Sequence, residues 1–303
     1  MKYIDDIREL IGNTPMIKLN NLGLKDGINI FAKLESFNPG GSVKDRIGVY
    51  MIEGAERAGL LREGHTIVEA TAGNTGLGVA MAALNKGYKI IFVVPTKFSI
   101  EKQLLMKALG ATVINTPREK GMLGAVEKAK ELLVEIPNSM SLEQFQNPNN
   151  PLAHYEGTGP EIYEALDGKI DYYVGGAGSG GTYSGVMKYL REKNPNIKGI
   201  LADPIGSTMG GGDAACYNIE GIGNDFIPET MDMSLVDEVI KINDEDALKY
   251  VRLLAAKEGL IVGSSSGAAL AAALKLADRI EKGNIVTLFS DRGDRYFSKG
   301  IFE

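Results

Sequence analysis

Hydrophobic and polar positions along this chain alternate between two periods. Short runs of β-branched and other apolar residues have the length of strands, and they are Ile28–Leu34, Thr66–Ala70, Ile90–Val94, Thr112–Ile114, Asp171–Val174, Gly199–Ala202, Glu238–Ile242 and Ile285–Phe289. Amphipathic stretches with helical spacing follow at residues 45–59, 75–86, 99–109, 121–135, 157–166, 181–192, 244–259 and 267–280. Such alternation is typical of βαβ units with right-handed crossovers. The pattern predicts an α/β fold with doubly wound, mainly parallel sheets.

Chain length and one turn-rich segment predict two domains. A length of 303 residues corresponds to two domains at roughly 150 residues each. Asn and Pro are concentrated in Gln146–Gly157, as they are in turns. We expect a smaller domain over residues 41–152 and a larger one over residues 1–40 and 153–303. In doubly wound domains the loops after the strands would face a shared cleft, where ligands bind.

Composition and charge exclude several classes of function. A net charge of -6 with a pI near 5.3 leaves no basic stripe for nucleic acid. The first ten residues contain no apolar segment typical of a signal peptide, and no apolar run has membrane-spanning length. We therefore expect no secretory signal, a cytoplasmic location and no membrane partner. Cys216 is the single cysteine, which excludes an internal disulfide, and we expect it to be buried. With His65 and His154 as the only histidines, no metal site is expected.

Three strand-like runs lead into loops rich in glycine and hydroxyl residues. These loops are Thr71–Gly76, Gly176–Thr182 and Gly263–Gly267, and each opens a predicted helix. Backbone N–H groups in such loops converge on an anion at the positive end of the helix. A fourth loop, Asn38–Ser42, leads into the helix that begins near Lys44. Because a lysine is poorly placed for stability at this positive end, Lys44 is a candidate functional residue.

The middle loop, taken alone, has a second interpretation. Gly176, Gly178 and Gly181 fit the pattern G-x-G-x-x-G after a strand. Asp203 ends the next strand, where an acid can bind a ribose hydroxyl. This loop therefore predicts a nicotinamide or flavin enzyme about as well as a site for a smaller phosphate. A dinucleotide does not account for Lys44 or for the other loops. Pyridoxal phosphate, a phosphorylated aldehyde held by a lysine imine, accounts for all four loops, including the one that precedes Lys44.

The same loops carry a family resemblance. NPGGSVKDR, TAGNTG, GSGGT, EGIG and GSSSGA are similar to motifs of the cysteine synthase and cystathionine β-synthase group of fold-type II pyridoxal phosphate enzymes. IGNTP, EKQLLMKALGA, QFQNPNNP and DRGDRYFS extend the similarity over essentially the whole chain. The resemblance implies a fold like that of the tryptophan synthase β subunit, with the cofactor in the cleft between two α/β domains.

The resemblance also implies roles for individual residues. Lys44 would hold the cofactor as an imine and, once displaced, take the substrate Cα proton. Asn74 would bind the ring hydroxyl, and Ser265 would face the pyridine nitrogen. A neutral hydroxyl there does not keep the nitrogen protonated, which favours β-elimination over transamination. The implied phosphate cradle is Gly178, Ser179, Gly180, Gly181 and Thr182, and the implied substrate-binding residues are Thr71, Ala72, Gly73, Asn74, Thr75, Gln144 and Gly221.

The implied reaction is β-replacement or β-elimination on a three-carbon amino acid through an aminoacrylate. The main hypothesis is that O-acetylserine and sulfide give cysteine. The alternative is sulfide-releasing replacement on cysteine, in which water, cysteine or homocysteine gives serine, lanthionine or cystathionine. An oxidoreductase that uses a dinucleotide and a catalytically silent binding protein are further alternatives. The partners would be small amino-acid substrates and a second copy of the chain, because family members are usually homodimers and the pairs Tyr296–Phe297 and Ile301–Phe302 look exposed.

Several positions depart from the family pattern. Ala72 stands where many relatives have serine, which removes one hydroxyl from the carboxylate-binding loop. Asn224 and Asp225 follow EGIG where small residues are common, and Asp232 lies shortly afterwards. A carboxylate near the substrate Cβ would repel sulfide but would orient or deprotonate water, so Asp232 is a candidate for nucleophile handling. Exposure to solvent is the simpler expectation for both acids.

Overall fold

The computed structural model describes residues 3–71 and 73–303, so the candidate residue Ala72 lies outside the described residues. Contacts divide the described chain into two compact units: residues 3–11 and 38–149 form the smaller, and residues 12–37 and 150–303 form the larger. Residues 3–11 group with the smaller unit and not, as predicted, with the larger part of the chain, since Arg8 donates a hydrogen bond to the carbonyl of Ala82 at 3.3 Å. The predicted domain boundaries themselves stay a prediction.

The observed strands and helices follow the predicted alternation. The strands are β1 (Met16–Lys18), β2 (Ile28–Leu34), β3 (Thr66–Ala70), β4 (Lys89–Pro95), β5 (Thr112–Thr116), β6 (Ser139–Met140), β7 (Tyr172–Gly176), β8 (Lys198–Pro204), β9 (Glu238–Ile242) and β10 (Gly283–Phe289). The α-helices are α1 (Lys44–Arg57), α2 (Asn74–Ala82), α3 (Ile100–Ala108), α4 (Gly121–Glu135), α5 (Asn149–Ala153), α6 (Gly159–Ala165), α7 (Gly181–Lys193), α8 (Asp244–Glu258) and α9 (Ser264–Ala277). The pattern did not predict β1, β6 or α5, because two to five residues are too few to show a period.

Each unit is built on one sheet. In the larger unit the described strands have the order β1-β2-β10-β7-β8-β9, with β1 antiparallel to β2 and the other pairs parallel. In the smaller unit the order is β5-β4-β3-β6, and the described pairs are parallel. The prediction of an α/β fold with mainly parallel sheets is confirmed. One detail was wrong: the loop Gly263–Gly267 follows an isolated bridge between Val262 and Arg292, not a strand.

Neighbouring residues on the central strands of the larger sheet point to opposite faces. Val174 and Ile285 are buried in an apolar cluster with residues of α8 and α9. Tyr173 and Val286, each next to one of them in sequence, are buried in a second cluster with residues of α6 and α7. Helices therefore cover both faces of this sheet, which explains why apolar residues follow one another in its central strands, as in Tyr172–Val174 of β7 and Ile285–Val286 of β10.

Two expectations about exposure were wrong. Cys216 is exposed, because it lies in the irregular segment 211–216, whose residues are all exposed. Tyr296 and Ile301 are buried, because they pack with Val251 of α8, whereas Phe297 is exposed as expected. Within residues 3–71 and 73–303, no helix is both long and apolar enough to cross a membrane.

Candidate functional site

Lys44 lies on the first turn of α1, as the sequence predicted. The preceding turn is closed by hydrogen bonds from the N–H of Gly41 to the carbonyl of Asn38 (2.7 Å) and from the N–H of Asp45 to the carbonyl of Ser42 (3.2 Å). Gly41 has a φ of +78°, in the region that favours glycine. The Lys44 N–H donates to Ser42 Oγ at 3.3 Å. This turn therefore holds a half-buried Lys44 at the positive end of its helix.

Two glycines let α1 and α2 touch at Lys44. A Cβ at Gly48 of α1 would clash with the backbone of Gly78 in α2, and a Cβ at Gly78 would clash with the carbonyl of Lys44. Since α2 begins at Asn74, one turn before Gly78, the contact places the first turns of both helices side by side. Sequence reasoning missed Gly48 and Gly78, although glycines inside predicted helices signal close packing.

The loop before α2 brings several predicted substrate-binding residues together. Thr71 Oγ1 accepts hydrogen bonds from the N–H groups of Gly73 (3.1 Å) and Gly76 (3.3 Å). The Thr75 hydroxyl donates to Gln144 Oε1 at 2.7 Å. The oxygen of the Gln144 amide therefore faces Thr75. The side chains of Thr71, Thr75 and Gln144 are all buried. The smaller unit thus holds these hydroxyl and amide groups in one cluster at the start of α2.

A buried carboxylate supports the segment that carries Gln144. Glu69 of β3 accepts hydrogen bonds from the Ser141 hydroxyl at 2.7 Å and the Leu142 N–H at 3.0 Å. Burial raises the pKa of Glu69, although the hydrogen bonds from Ser141 and Leu142 oppose this shift. Sequence reasoning missed Glu69. An acidic residue within an otherwise apolar strand was the signal that could have pointed to a buried carboxylate there.

In the larger unit, α7 begins in a loop that requires glycine. Gly180 has a φ of +84° and precedes the helix without any side-chain cap. A Cβ at Gly178 would clash with the Gly221 carbonyl, and one at Gly181 would clash with the Asn150 side chain. The first N–H groups of an α-helix have no partner within the helix and lie at its positive end. The loop therefore presents backbone N–H groups to an anion.

Side chains from three other segments fix the conformation of this loop. Asn150 Nδ2 donates to Ser179 Oγ at 2.9 Å, and the Thr230 hydroxyl donates to the Ser179 carbonyl at 2.5 Å. Asn224 Nδ2 donates to the Gly178 carbonyl at 2.5 Å. Asn224, singled out by its departure from the family pattern, is thus a loop-supporting residue. Asn150 and Thr230 had no signal in the sequence that tied them to this loop.

The three serines at the start of α9 have different partners. Ser264 Oγ accepts from the Glu220 N–H at 3.0 Å, and Ser266 Oγ accepts from the Ser290 N–H at 3.1 Å. Ser265 is buried, yet its hydroxyl has no hydrogen-bond partner among the described residues. Gly263, not a serine, occupies the N-cap position. Ser265 is therefore the hydroxyl of this loop that remains for a ligand.

Asp203, which the dinucleotide interpretation required, is already engaged. Its buried carboxylate forms an ion pair with Lys241 Nζ at 2.5 Å and accepts from the Gly210 N–H at 3.0 Å. An acid that binds ribose must present its carboxylate to the ligand. These contacts hold the Asp203 carboxylate inside the protein.

The two acids after EGIG are exposed. Asp225 and Asp232 both lie at the surface, as the simpler expectation had it. Asp232 accepts from the N–H (3.0 Å) and the hydroxyl (2.6 Å) of Ser234, and it caps the short 3-10 helix Met233–Leu235. A role of Asp232 in nucleophile handling stays a prediction.

Each unit by itself offers groups of the kind that pyridoxal phosphate needs. The smaller unit offers Lys44 at the positive end of α1. The larger unit offers the uncapped start of α7 for a dianionic phosphate and the unpaired hydroxyl of Ser265 for a ring nitrogen.

Comparison with known proteins agrees with this fit. The family described as pyridoxal-phosphate dependent enzyme matches residues 7–291. The O-acetylserine dependent cystathionine beta-synthase of Bacillus subtilis is 51% identical over 100% of this chain and 99% of its own length. A cysteine synthase of Helicobacter pylori is 48% identical over the full length of both chains. The crystal structure of an O-acetylserine dependent cystathionine beta-synthase from Helicobacter pylori superposes with a TM-score of 0.96, at 46% identity over 100% of both chains.

Proposed function

The chain belongs to the family of pyridoxal-phosphate dependent enzymes, and from this premise we propose that it catalyses β-replacement on O-acetylserine with sulfide as the nucleophile. The Cβ–O bond of O-acetylserine breaks, acetate leaves with the bonding electrons, and a Cβ–S bond forms to give cysteine. Relatives described as O-acetylserine dependent and as cysteine synthase support this donor and this nucleophile. The observation that carries the proposal is the buried hydroxyl of Ser265, which has no hydrogen-bond partner in residues 3–71 and 73–303.

Lys44 and Ser265 have the central roles in this proposal. Bound pyridoxal phosphate supplies an electron-withdrawing ring that stabilises negative charge at the substrate Cα. Lys44 would hold the cofactor through its Nζ and would be the group that accepts the substrate Cα proton. Ser265 would offer the pyridine nitrogen a neutral hydroxyl, which would keep that nitrogen less protonated than a carboxylate would. Departure of a group from Cβ is then favoured over transamination.

The remaining site residues bind the ends of the cofactor and of the substrate. We assign the ring hydroxyl to Asn74 and the phosphate to residues 178–182. The substrate α-carboxylate is assigned to the cluster at the positive end of α2, where a charge gains on the order of 0.3–1 kcal/mol. The residues assigned are Thr71, Gly73, Asn74, Thr75 and Gln144, whereas the roles of Ala72, which lies outside the described residues, and of Gly221 stay predictions from the resemblance.

Homocysteine is the second candidate nucleophile. Two of the similar proteins are described as O-acetylserine dependent cystathionine beta-synthases, which points to the same donor with a thiol as acceptor. Attack of the homocysteine sulfur at Cβ would give cystathionine and acetate. Pocket differences of about 1–3 kcal/mol decide between such nucleophiles.

Cofactor attachment and product analysis test the proposal. Borohydride reduction of the purified protein should fix pyridoxal phosphate to the peptide that contains Lys44. O-acetylserine with sulfide should yield cysteine and acetate, measured by mass spectrometry. Faster formation of cystathionine with homocysteine would favour the second candidate. Sulfide release from cysteine with little use of O-acetylserine would overturn the choice of donor, and a label outside Lys44 would overturn the site.

We also propose a homodimer in the cytoplasm. Phe297 is 64% exposed and Ile261 is 56% exposed, and a partner surface that covers such side chains would be favourable. The single cysteine is exposed, which suits a reducing compartment. Sedimentation at micromolar concentration tests the dimer, and a monomer there would reject it.

A further inference from the structure

One buried histidine joins an unusual turn to the start of α7. His154 is fully buried and begins the π-helical turn His154–Thr158, between α5 and α6. Its Nδ1 lies 2.9 Å from Thr158 Oγ1, and its Nε2 lies 3.1 Å from Thr182 Oγ1. Single π-helical turns are rare and are frequent at functional sites. The ring therefore connects this turn to the last residue of the proposed phosphate cradle.

The helices on both sides hold the ring in a fixed place. A Cβ at Gly185 of α7 would clash with the Pro151 carbonyl of α5 and would lie 2.8 Å from His154 Cβ. Backbones that approach this closely leave the imidazole little freedom to turn. The contact between Nε2 and Thr182 is thus set by the packing of α7 against the π-helical turn.

The direction of these hydrogen bonds follows from the chemistry of a phosphate. A dianionic phosphate only accepts hydrogen bonds, so a Thr182 hydroxyl that binds it must donate its single proton. Thr182 Oγ1 then accepts from the imidazole, which requires a proton on Nε2. Nδ1 of the neutral ring is left as an acceptor for the Thr158 hydroxyl. Hydrogen bonds in such a series polarise one another, so the donations from Thr158 to His154 and from His154 to Thr182 strengthen the hydrogen bond from Thr182 to the phosphate.

We propose that His154 is a positioning residue for the cofactor phosphate: its Nε2–H holds the Thr182 oxygen so that the Thr182 proton points at the phosphate. The inference rests on the proposed assignment of residues 178–182 to the phosphate. The proposal also requires that His154 be neutral and carry its proton on Nε2 when pyridoxal phosphate binds tightly.

Two variants separate positioning from simple loss of structure. His154→Met removes the donor, whereas His154→Gln places an amide N–H near the position of Nε2. The full-length variants, freed of cofactor, are titrated with pyridoxal phosphate and with pyridoxal, which has no phosphate. We expect His154→Met to weaken pyridoxal phosphate binding about tenfold, as for one hydrogen bond, and to leave pyridoxal binding unchanged. His154→Gln should recover most of the loss, and His65→Met is the control.

Coupling and spectroscopy complete the test. If His154 acts through Thr182, the double variant His154→Met/Thr182→Val should bind pyridoxal phosphate no more weakly than Thr182→Val alone. In the ¹⁵N spectrum of the holoenzyme, His154 should show a protonated Nε2, with assignment by the His65→Met variant. A proton on Nδ1, or equal losses for both ligands, would overturn the proposal for His154. Failure of the unaltered protein to bind pyridoxal phosphate would overturn the proposed function as well.

Discussion

Two helices begin in loops of similar composition but give their first N–H groups different partners. Before α2, the Thr71 hydroxyl oxygen accepts hydrogen bonds from the N–H groups of Gly73 and Gly76. The N-cap residue of each helix is a glycine without a side chain, but before α7 no described side chain accepts from the first N–H groups as Thr71 does before α2. The start of α2 is thus partly satisfied by its own loop, whereas the start of α7 keeps its N–H groups for an anion.

This difference indicates which anion each loop suits. A phosphate dianion makes several hydrogen bonds and needs an open ring of donors, which the uncapped start of α7 provides. A single carboxylate needs fewer donors, so under the proposed assignment a loop that is already capped can still bind it, through the hydroxyl proton of Thr71 and the amide NH2 of Gln144. Glycine and hydroxyl content alone does not distinguish these cases, because the same residue types serve both.

A side chain at Gly180 should have the largest effect, because it alters the uncapped helix start. In Gly180→Ala the left-handed backbone, with a φ of +84°, and contact with Met231 should together lower the free energy of unfolding by roughly 2–5 kcal/mol. Affinity for pyridoxal phosphate should fall more than about tenfold. Chemical denaturation and cofactor titration measure both effects.

Gly110→Ala is the matched control for this change. Gly110 has a φ of +89°, but an added Cβ meets no atom within 4 Å. The Gly110→Ala variant should therefore lose only the stability that a left-handed backbone costs a residue with a side chain, about 1–2 kcal/mol. Its affinity for pyridoxal phosphate should stay the same. Equal losses in the two variants would show that the α7 loop has no special role.

The serines of α9 extend the comparison within one loop. Ser266→Ala leaves the Ser290 N–H without its partner and should cost about 1–3 kcal/mol of stability, with kcat retained. Ser265→Ala removes a hydroxyl that has no hydrogen-bond partner within the part of the chain that the structure describes. Stability should therefore change by less than about 0.5 kcal/mol, while the cofactor absorption spectrum and kcat change. Thermal unfolding and absorption spectra of both variants decide whether the two serines differ as described.

Removing the cap of α2 would make its start resemble that of α7. Thr71→Val loses the acceptor for Gly73 and Gly76, which should cost about 0.5–2 kcal/mol. The KM for O-acetylserine should rise while cofactor affinity stays the same. Thr71→Ser should restore both the stability and the KM. If Thr71→Val weakened cofactor binding as strongly as Gly180→Ala, the division of labour between the loops would be wrong.

The buried carboxylate beneath the capped loop should respond to pH. Because burial raises the pKa of Glu69, the folded protein keeps this proton to a higher pH than the unfolded chain. The resulting stabilisation is complete below the ordinary carboxyl pKa and is lost as pH rises through the raised value. The Tm of Glu69→Gln, compared with that of the natural chain at the same pH, should therefore rise between acid and neutral pH. The corresponding change in the free energy of unfolding is about 1.4 kcal/mol for each unit by which folding raises the pKa of Glu69. A difference in Tm that does not vary with pH would contradict this account.

The smallest effect is expected at Asp232, which lies outside both loops. Asp232→Asn retains a good N-cap for Met233–Leu235, so stability should stay within about 0.5 kcal/mol. Rates with sulfide and homocysteine should also stay the same if the residue is only a cap. A selective fall in the rate with one nucleophile, measured by steady-state kinetics, would instead place Asp232 in the site.

The sequence by itself determined the α/β class and the chemistry of the ligand. Strand and helix periods are local, so the alternation along the chain predicted the parallel sheets. Loop composition is local as well, and Lys44 at a positive helix end, together with three glycine- and hydroxyl-rich loops, predicted pyridoxal phosphate. The shortest elements, β1 and β6, left no period to detect.

Only the tertiary structure decided which of these groups have hydrogen-bond partners within the protein. Ser264, Ser265 and Ser266 are equivalent in local composition, although the resemblance singles out Ser265. Their hydrogen-bond partners differ because the N–H groups of Glu220 and Ser290 reach Ser264 and Ser266 from distant parts of the chain. Lys241 engages the acid that a dinucleotide would need, and Gly48 meets Gly78 across two helices. These outcomes depend on contacts between residues far apart in sequence, and a local pattern cannot specify such partners because packing selects them.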